Sequence, residues 1–113
     1  YPVYAERMRG MHARRHEQVR AFHDAGVPLL MGSDAGGTIS HGSLPAELVE
    51  VQHAGVPAAE VLAAVTWRAR SFLGVPGIEE GAPADVVVYG EDPREDVRVM
   101  QRPSAVVLRG IVY

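Results

Sequence analysis

Leu29-Leu30-Met31-Gly32-Ser33-Asp34-Ala35-Gly36-Gly37 is the stretch on which the reading of this sequence turns. An apolar run climbs to a single carboxylate, and glycines follow at once. Val27-Pro28-Leu29-Leu30-Met31 is apolar throughout rather than alternating, as expected of a strand covered on both faces in a parallel sheet. An acid at the end of such a strand is the layout by which a barrel enzyme presents a metal ligand or a general base at a loop mouth. An acid there is costly unless it is paired, hydrogen-bonded or metal-bound. The plainer alternative is that Asp34 caps a turn or the helix that follows.

Working outward, Tyr4 to Ala25 carries Met8, Met11, Val19 and Phe22 at roughly helical spacing, and Gly26 reads as the stop. Residues 32–43 form a Gly-, Ser- and Thr-rich loop. A second helix is expected from Leu44 or Pro45 to about His53, with Leu44, Leu48 and Val51 on one face, ended by Gly55. A third starts with Pro57 in its first turn and carries Val61, Leu62, Val65, Ala69 and Phe72 up to Gly74. The character then changes. Turn clusters at Val75-Pro76-Gly77 and Gly81-Ala82-Pro83 precede a β-rich run, Asp85–Tyr89, and Asp92-Pro93 marks a loop. Ala105–Leu108 should pair with Ile111–Tyr113 across Arg109-Gly110 as a hairpin.

Composition narrows the chemistry. The 113 residues are 47% hydrophobic and 22% charged, with a net charge of −3, and make one domain at most. Arg9, Arg14, Arg15 and Arg20 are interleaved with Glu6, Glu17 and Asp24, which reads as a solvated helix face and not a nucleic-acid track. With no cysteine, disulfides and thiolate metal sites are excluded, so any metal needs nitrogen and oxygen ligands. No signal peptide or apolar run of membrane-spanning length is present, and the default expectation is a cytoplasmic protein. The chain opens at Tyr1 rather than Met.

His12 and His16 stand four apart on the first helix, but Ala13 occupies the place of the glutamate in the zinc-protease motif, and the two read as surface histidines. Gly32-Ser33-Asp34-Ala35-Gly36 also fits a nucleophile elbow with Asp in place of Ser, although seven residues from Gly37 to Ser43 delay the helix such an elbow needs. His41, in the same loop as Asp34, is either a substrate contact or a solvent-facing residue. Glu47, Glu50, Glu79 and Glu80 read as solvated or structural. Trp67 is a core anchor or packs against another domain.

One physical problem stands out. The strand at 27–31 reads as buried, yet no parallel strand lies nearby in the sequence to take up its N–H and C=O groups. Either another chain supplies the sheet or these residues are the tail of a longer protein, and the second is favoured.

The order Gly32-Ser33-Asp34-Ala35-Gly36, His41-Gly42, a Leu-rich helix and Val56–Thr66 resembles the C-terminal part of the metal-dependent amidohydrolase superfamily. The imidazolonepropionase-like and Xaa-Pro-dipeptidase-like branch is the nearest likeness. Leu73-Gly74, Gly77–Val88, Asp92-Pro93 and Val106–Gly110 extend it over essentially the whole chain. The resemblance implies an α/β fold in which residues 1–74 are the end of a (β/α)₈ TIM barrel, with Val27–Met31 as its last strand. Residues 75–113 would be part of a small flanking β-sandwich. It implies that Asp34 is both a metal ligand and the catalytic proton carrier, and that His41 lies near the substrate. It further implies a divalent metal, zinc first, as one or two ions whose other ligands lie outside this chain. The substrate would be a small molecule or dipeptide-like compound with a C–N bond, and a homo-oligomer is compatible. Typical catalytic sites supply three or more protein ligands, so the chain alone would be inactive. The rival readings are a non-catalytic β-rich interaction domain, joined edge to edge through strands 85–89 and 105–113, and a hydrolase with Asp34 as nucleophile.

Overall fold

The computed structural model describes all 113 residues. Five α-helices come first: α1 Pro2–Ala13, α2 Arg15–Asp24, α3 Leu44–His53, α4 Ala58–Val65 and α5 Trp67–Phe72. Strand β1 Val86–Val88, a 3₁₀ helix Val97–Gln101, and strands β2 Ala105–Leu108 and β3 Ile111–Val112 complete the chain. No helix is long and apolar enough to cross a membrane.

The three glycines expected to stop helices all do so by one mechanism. After α2, α3 and α5 the chain turns at Gly26, Gly55 and Gly74 with φ of 76°, 99° and 67°, values at which a Cβ would be strained. In each case the glycine N–H and the next residue's N–H close onto the last turn; after α3, Gly55 bonds Gln52 O at 2.9 Å and Val56 bonds Val51 O at 3.4 Å. Val51 and Val56, brought together by that closure, are both buried.

Two expected helices are each broken in two. The segment 4–25 divides at Arg14, and the segment from Pro57 divides at Thr66, whose φ and ψ of −120° and −103° are far from helical. Thr66 turns its hydroxyl back onto the carbonyl of Leu62, a local bond that competes with helix continuation. Pro57 caps α4 rather than starting it. The break carries Trp67 and Phe72 outward, and both are exposed. Trp67 is therefore not a core anchor within this chain.

The core lies where α3, α4 and the 3₁₀ helix meet: Leu48, Val51, Val56, Val61, Leu62, Val97 and Met100. The 3₁₀ helix lies in a stretch for which the sequence reads only a loop at Asp92-Pro93, yet local signals for it are present. Asp96 caps it by accepting from the Arg98 N–H at 2.9 Å, and the apolar residues Val97, Val99 and Met100 follow. Gln52 of α3 accepts the Val97 N–H at 2.8 Å, which fixes the short helix over α3. The Arg98 guanidinium beside Asp96 holds its carboxyl down to about 2.

The sheet is antiparallel in the order β1-β2-β3, with Val86 opposite Val107 and Leu108 opposite Ile111. The predicted hairpin forms. Arg109 and Gly110 take φ of 50° and 79°, the pair of positive values a two-residue turn of the I′ type needs. Asp85 accepts the Arg109 N–H at 2.7 Å, which fixes that turn against the entry to β1.

The strand expected at Val27–Met31 is corrected. Residues 27–33 form no helix, and no strand pairs with them. Apart from Val27 N–H closing onto Phe22 O of α2, their one backbone bond to another element is Met31 N–H to Ala64 O, at 3.2 Å. The apolar run supplies strand character; without a neighbouring strand there is no ladder. Burial is correspondingly thin, with 10 of 113 residues buried. The radius of gyration is 16.2 Å, against about 13 Å for a compact domain of this length.

Candidate functional site

Asp34 ends the extended segment and adopts φ of 51°, the left-handed region that Asp tolerates better than most residues. Immediately after it, Gly36 and Ile39 exchange two backbone bonds of 2.9 and 3.0 Å around Gly37-Thr38. This two-residue hairpin throws the chain back and leaves the carboxylate at the segment's tip. The side chain is exposed and makes no hydrogen bond or ion pair within the chain. The capping role is thus not taken up: α3 is preceded by Ser43, and no side chain caps its first turn. A nucleophile elbow is also absent, because α3 begins at Leu44, well beyond the turn that follows Asp34.

His41 lies in the same loop, exposed, next to Gly42, whose φ is 89°. The structure places Asp34 and His41 on one loop between the extended segment and α3, with no bond joining them. Ser43, next along, keeps its hydroxyl oxygen buried without a partner.

Exposure along the segment alternates. Leu29, Met31, Ser33 and Ala35 are half-buried, while Leu30, Gly32 and Asp34 are exposed. Leu29 and Met31 rest on the core beneath them. An alternation of period two is strand geometry with one face packed. The sequence suggested cover on both faces; within this chain the face carrying Asp34 is bare.

The histidines elsewhere do not assemble a metal centre. His12 is exposed, and its carbonyl accepts from Arg15 at 3.0 Å. His16 Nε2 lies 2.7 Å from Glu50 Oε2, and Arg15 approaches the same oxygen at 3.3 Å. Glu50, expected to be merely solvated, therefore ties α2 to α3. No group of three His, Asp or Glu side chains in the chain is placed to hold a metal ion. Asp34 fits such an ion as one free oxygen donor, and the chain offers no second donor beside it.

At the other end of the extended segment a cavity of about 280 Å³ opens between α2, the segment and α4. His23, Glu60 and Arg68 stand at its polar side over Val27, Leu29, Val61 and Ala64, and Arg68 pairs with Glu60 at 2.8 Å. Its members come from three separate elements, so no spacing in the sequence marks the cluster.

The hydrogen bond from His16, with the Arg15 charge behind it, holds the Glu50 carboxyl below its ordinary value of 4.5. A depressed carboxyl stabilises the fold above its unfolded value and loses that contribution as pH falls through the folded value. We expect the thermal midpoint of the wild-type protein to fall more steeply below about pH 4.5 than that of Glu50→Gln. Parallel acid limbs in the two melting-temperature profiles would exclude the clasp.

Comparison with known proteins places these features. The model of the amidohydrolase family matches residues 12–112. Uncharacterized proteins of Mycobacterium tuberculosis and Mycobacterium bovis are 46% identical over all 113 residues, which cover 30% of their length. The crystal structure of a Xaa-Pro dipeptidase with methionine bound in its active site superposes with a TM-score of 0.76 at 27% identity. That match covers 87% of this chain and 25% of the dipeptidase. A putative prolidase from Bifidobacterium longum superposes with a TM-score of 0.71 at 33% identity, over 84% of this chain and 25% of its own. The chain thus spans under a third of the length of the relatives it matches, and it belongs to the amidohydrolase family.

Proposed function

We propose that this chain is the C-terminal part of a metal-dependent hydrolase that cleaves a C–N bond, in an amide, a peptide or a cyclic amide. The observation that carries the reading is Asp34: a carboxylate with no partner, at the tip of an extended segment whose outer face is bare. In this reading residues 1–74 complete a (β/α)₈ barrel, with 27–31 as its last strand between neighbours supplied by the rest of the protein. Residues 75–113 contribute to a flanking β-sandwich. The apolar composition of β1, β2 and β3 on both faces of their sheet supports the second assignment.

Proteins of this family are generally metal-dependent. A divalent ion, zinc first, as one or two ions, would lower the pKa of water toward neutrality and polarise the scissile carbonyl. Asp34 would supply one ligand oxygen, and the remaining ligands would come from outside these residues. Its carboxylate holds the proton released by the attacking water and returns it to the leaving amine. Its tip position suits that task, since no bond within the chain competes for either oxygen. His41, on the same loop, stands beside the substrate. A small or dipeptide-like substrate is favoured by the likeness to the Xaa-Pro dipeptidase. The isolated chain, with one ligand, is inactive.

The test is hydrolysis by the full-length protein of a panel of amides, dipeptides and cyclic amides. Chelation should abolish turnover, and Zn²⁺ or Mn²⁺ should restore it. Turnover indifferent to chelation, or no C–N hydrolysis with any divalent ion, would sink the assignment.

A further inference from the structure

Resting on the reading of Asp34 and His41 as site residues, we propose that Gln52 is a positioning residue for His41. Its side-chain amide fixes the 3₁₀ helix at one place on α3, and α3 in turn sets where His41 meets the substrate.

The two site residues are held from different directions. Asp34 follows a segment anchored to α4, through Met31 N–H and Ala64 O at 3.2 Å. The Gly36–Ile39 hairpin, closed by its own two backbone bonds, then separates it from His41. His41 is joined instead to α3, with only Gly42 and Ser43 between. The Ser43 carbonyl accepts the N–H groups of Ala46 and Glu47 at 3.0 and 3.3 Å, which ties the end of the loop to the first turn of the helix. A shift of α3 therefore reaches His41 first and leaves Asp34 on its own anchor.

The contact that places α3 is the one with the 3₁₀ helix, where Leu48 and Val51 meet Val97 and Met100 in the core. Apolar packing of this kind is non-directional and tolerates small slips of one element along the other. A hydrogen bond is directional. Gln52 Oε1 accepts the N–H of Val97, a fully buried residue 45 positions away, at 2.8 Å. No other hydrogen bond joins α3 to the 3₁₀ helix. The short helix does not need Gln52 to form, since Asp96 caps it from within. What Gln52 adds is register. The other polar tie of α3, from Glu50 to His16 and Arg15, faces α2 and is exposed, where such pairs hold weakly.

Two experiments on the full-length protein test this with Gln52→Met, which keeps the side chain's length and removes the acceptor. Hydrogen exchange followed by mass spectrometry reads position without activity. Exchange should quicken across residues 40–47 and 97–101 and stay as in the wild type across 27–31. Unchanged exchange across 40–47 would overturn the proposal.

The second experiment is kinetic, on the dipeptide Met-Pro. Misplacing a substrate-positioning group by an ångström costs up to about 10²-fold, and Gln52→Met should raise KM about 10-fold. Its kcat and bound metal should match the wild type, because Asp34 keeps its own anchor. Val61→Ala weakens the same core from α4 without touching the Gln52 bond. It should lower the melting temperature and leave KM unchanged. An equal rise in KM in both variants would assign Gln52 to stability, and a fall in kcat or metal content at constant KM would place its effect at Asp34. Either result overturns the proposal. A wild-type protein without Met-Pro hydrolysis counts against the substrate class in the functional reading, whereas exchange across 40–47 decides the hold of Gln52 on the loop.

Discussion

Asp34→Asn in the full-length protein is expected to reduce hydrolysis by about 10²- to 10⁴-fold, the range for a positioned proton-transfer group. Its thermal midpoint should stay close to that of the wild type. The substitution keeps the side chain's shape and removes its charge and basicity. Asn also tolerates the left-handed backbone at this position, where φ is 51°. The fold should survive, because the Asp34 side chain makes no hydrogen bond or ion pair within the chain. Metal content, measured on the same sample, should fall with activity. Hydrolysis within a few-fold of wild type would remove Asp34 from the chemistry, whatever the family.

For stability, Leu48→Ala should have the largest effect. Leu48 is 1% exposed on α3 and belongs to the cluster formed with Val51, Val97 and Met100. Removing a buried leucine side chain costs about 2–5 kcal/mol, through lost burial and the cavity left behind. Against a typical total of about 5–15 kcal/mol, that is a large share. Urea unfolding of the full-length protein measures it. A loss below about 1 kcal/mol would mean that the meeting of α3, α4 and the 3₁₀ helix is not a tightly packed core.

Legibility in the sequence followed locality. α3 was readable to within a residue at its start and close to its end because Pro45, the Leu44-Leu48-Val51 face and Gly55 all act within one helix. The β2–β3 hairpin was readable for a similar reason, since Arg109-Gly110 sets both twist and register. The interruptions at Arg14 and Thr66 were not, because apolar periodicity continues across them. The 3₁₀ helix escaped because its five residues are held by partners distant in sequence, chiefly Gln52 and the core around Leu48. Glu50 was read as solvated because His16 stands 34 positions away.

The sequence by itself determined that Val27–Met31 is an apolar run leading to a single acid, Asp34, with glycines after it. It also determined the helix stops at Gly26, Gly55 and Gly74 and the turn that closes the hairpin. These depend on a few adjacent residues and on steric rules that act at that range. Tertiary structure decided which side of the extended segment is covered, since burial is a property of neighbours. It set Leu29 and Met31 on the core and left Leu30, Gly32 and Asp34 bare. It also left the strand without a ladder, because a strand needs partners for its backbone groups and this chain has none to offer at that place.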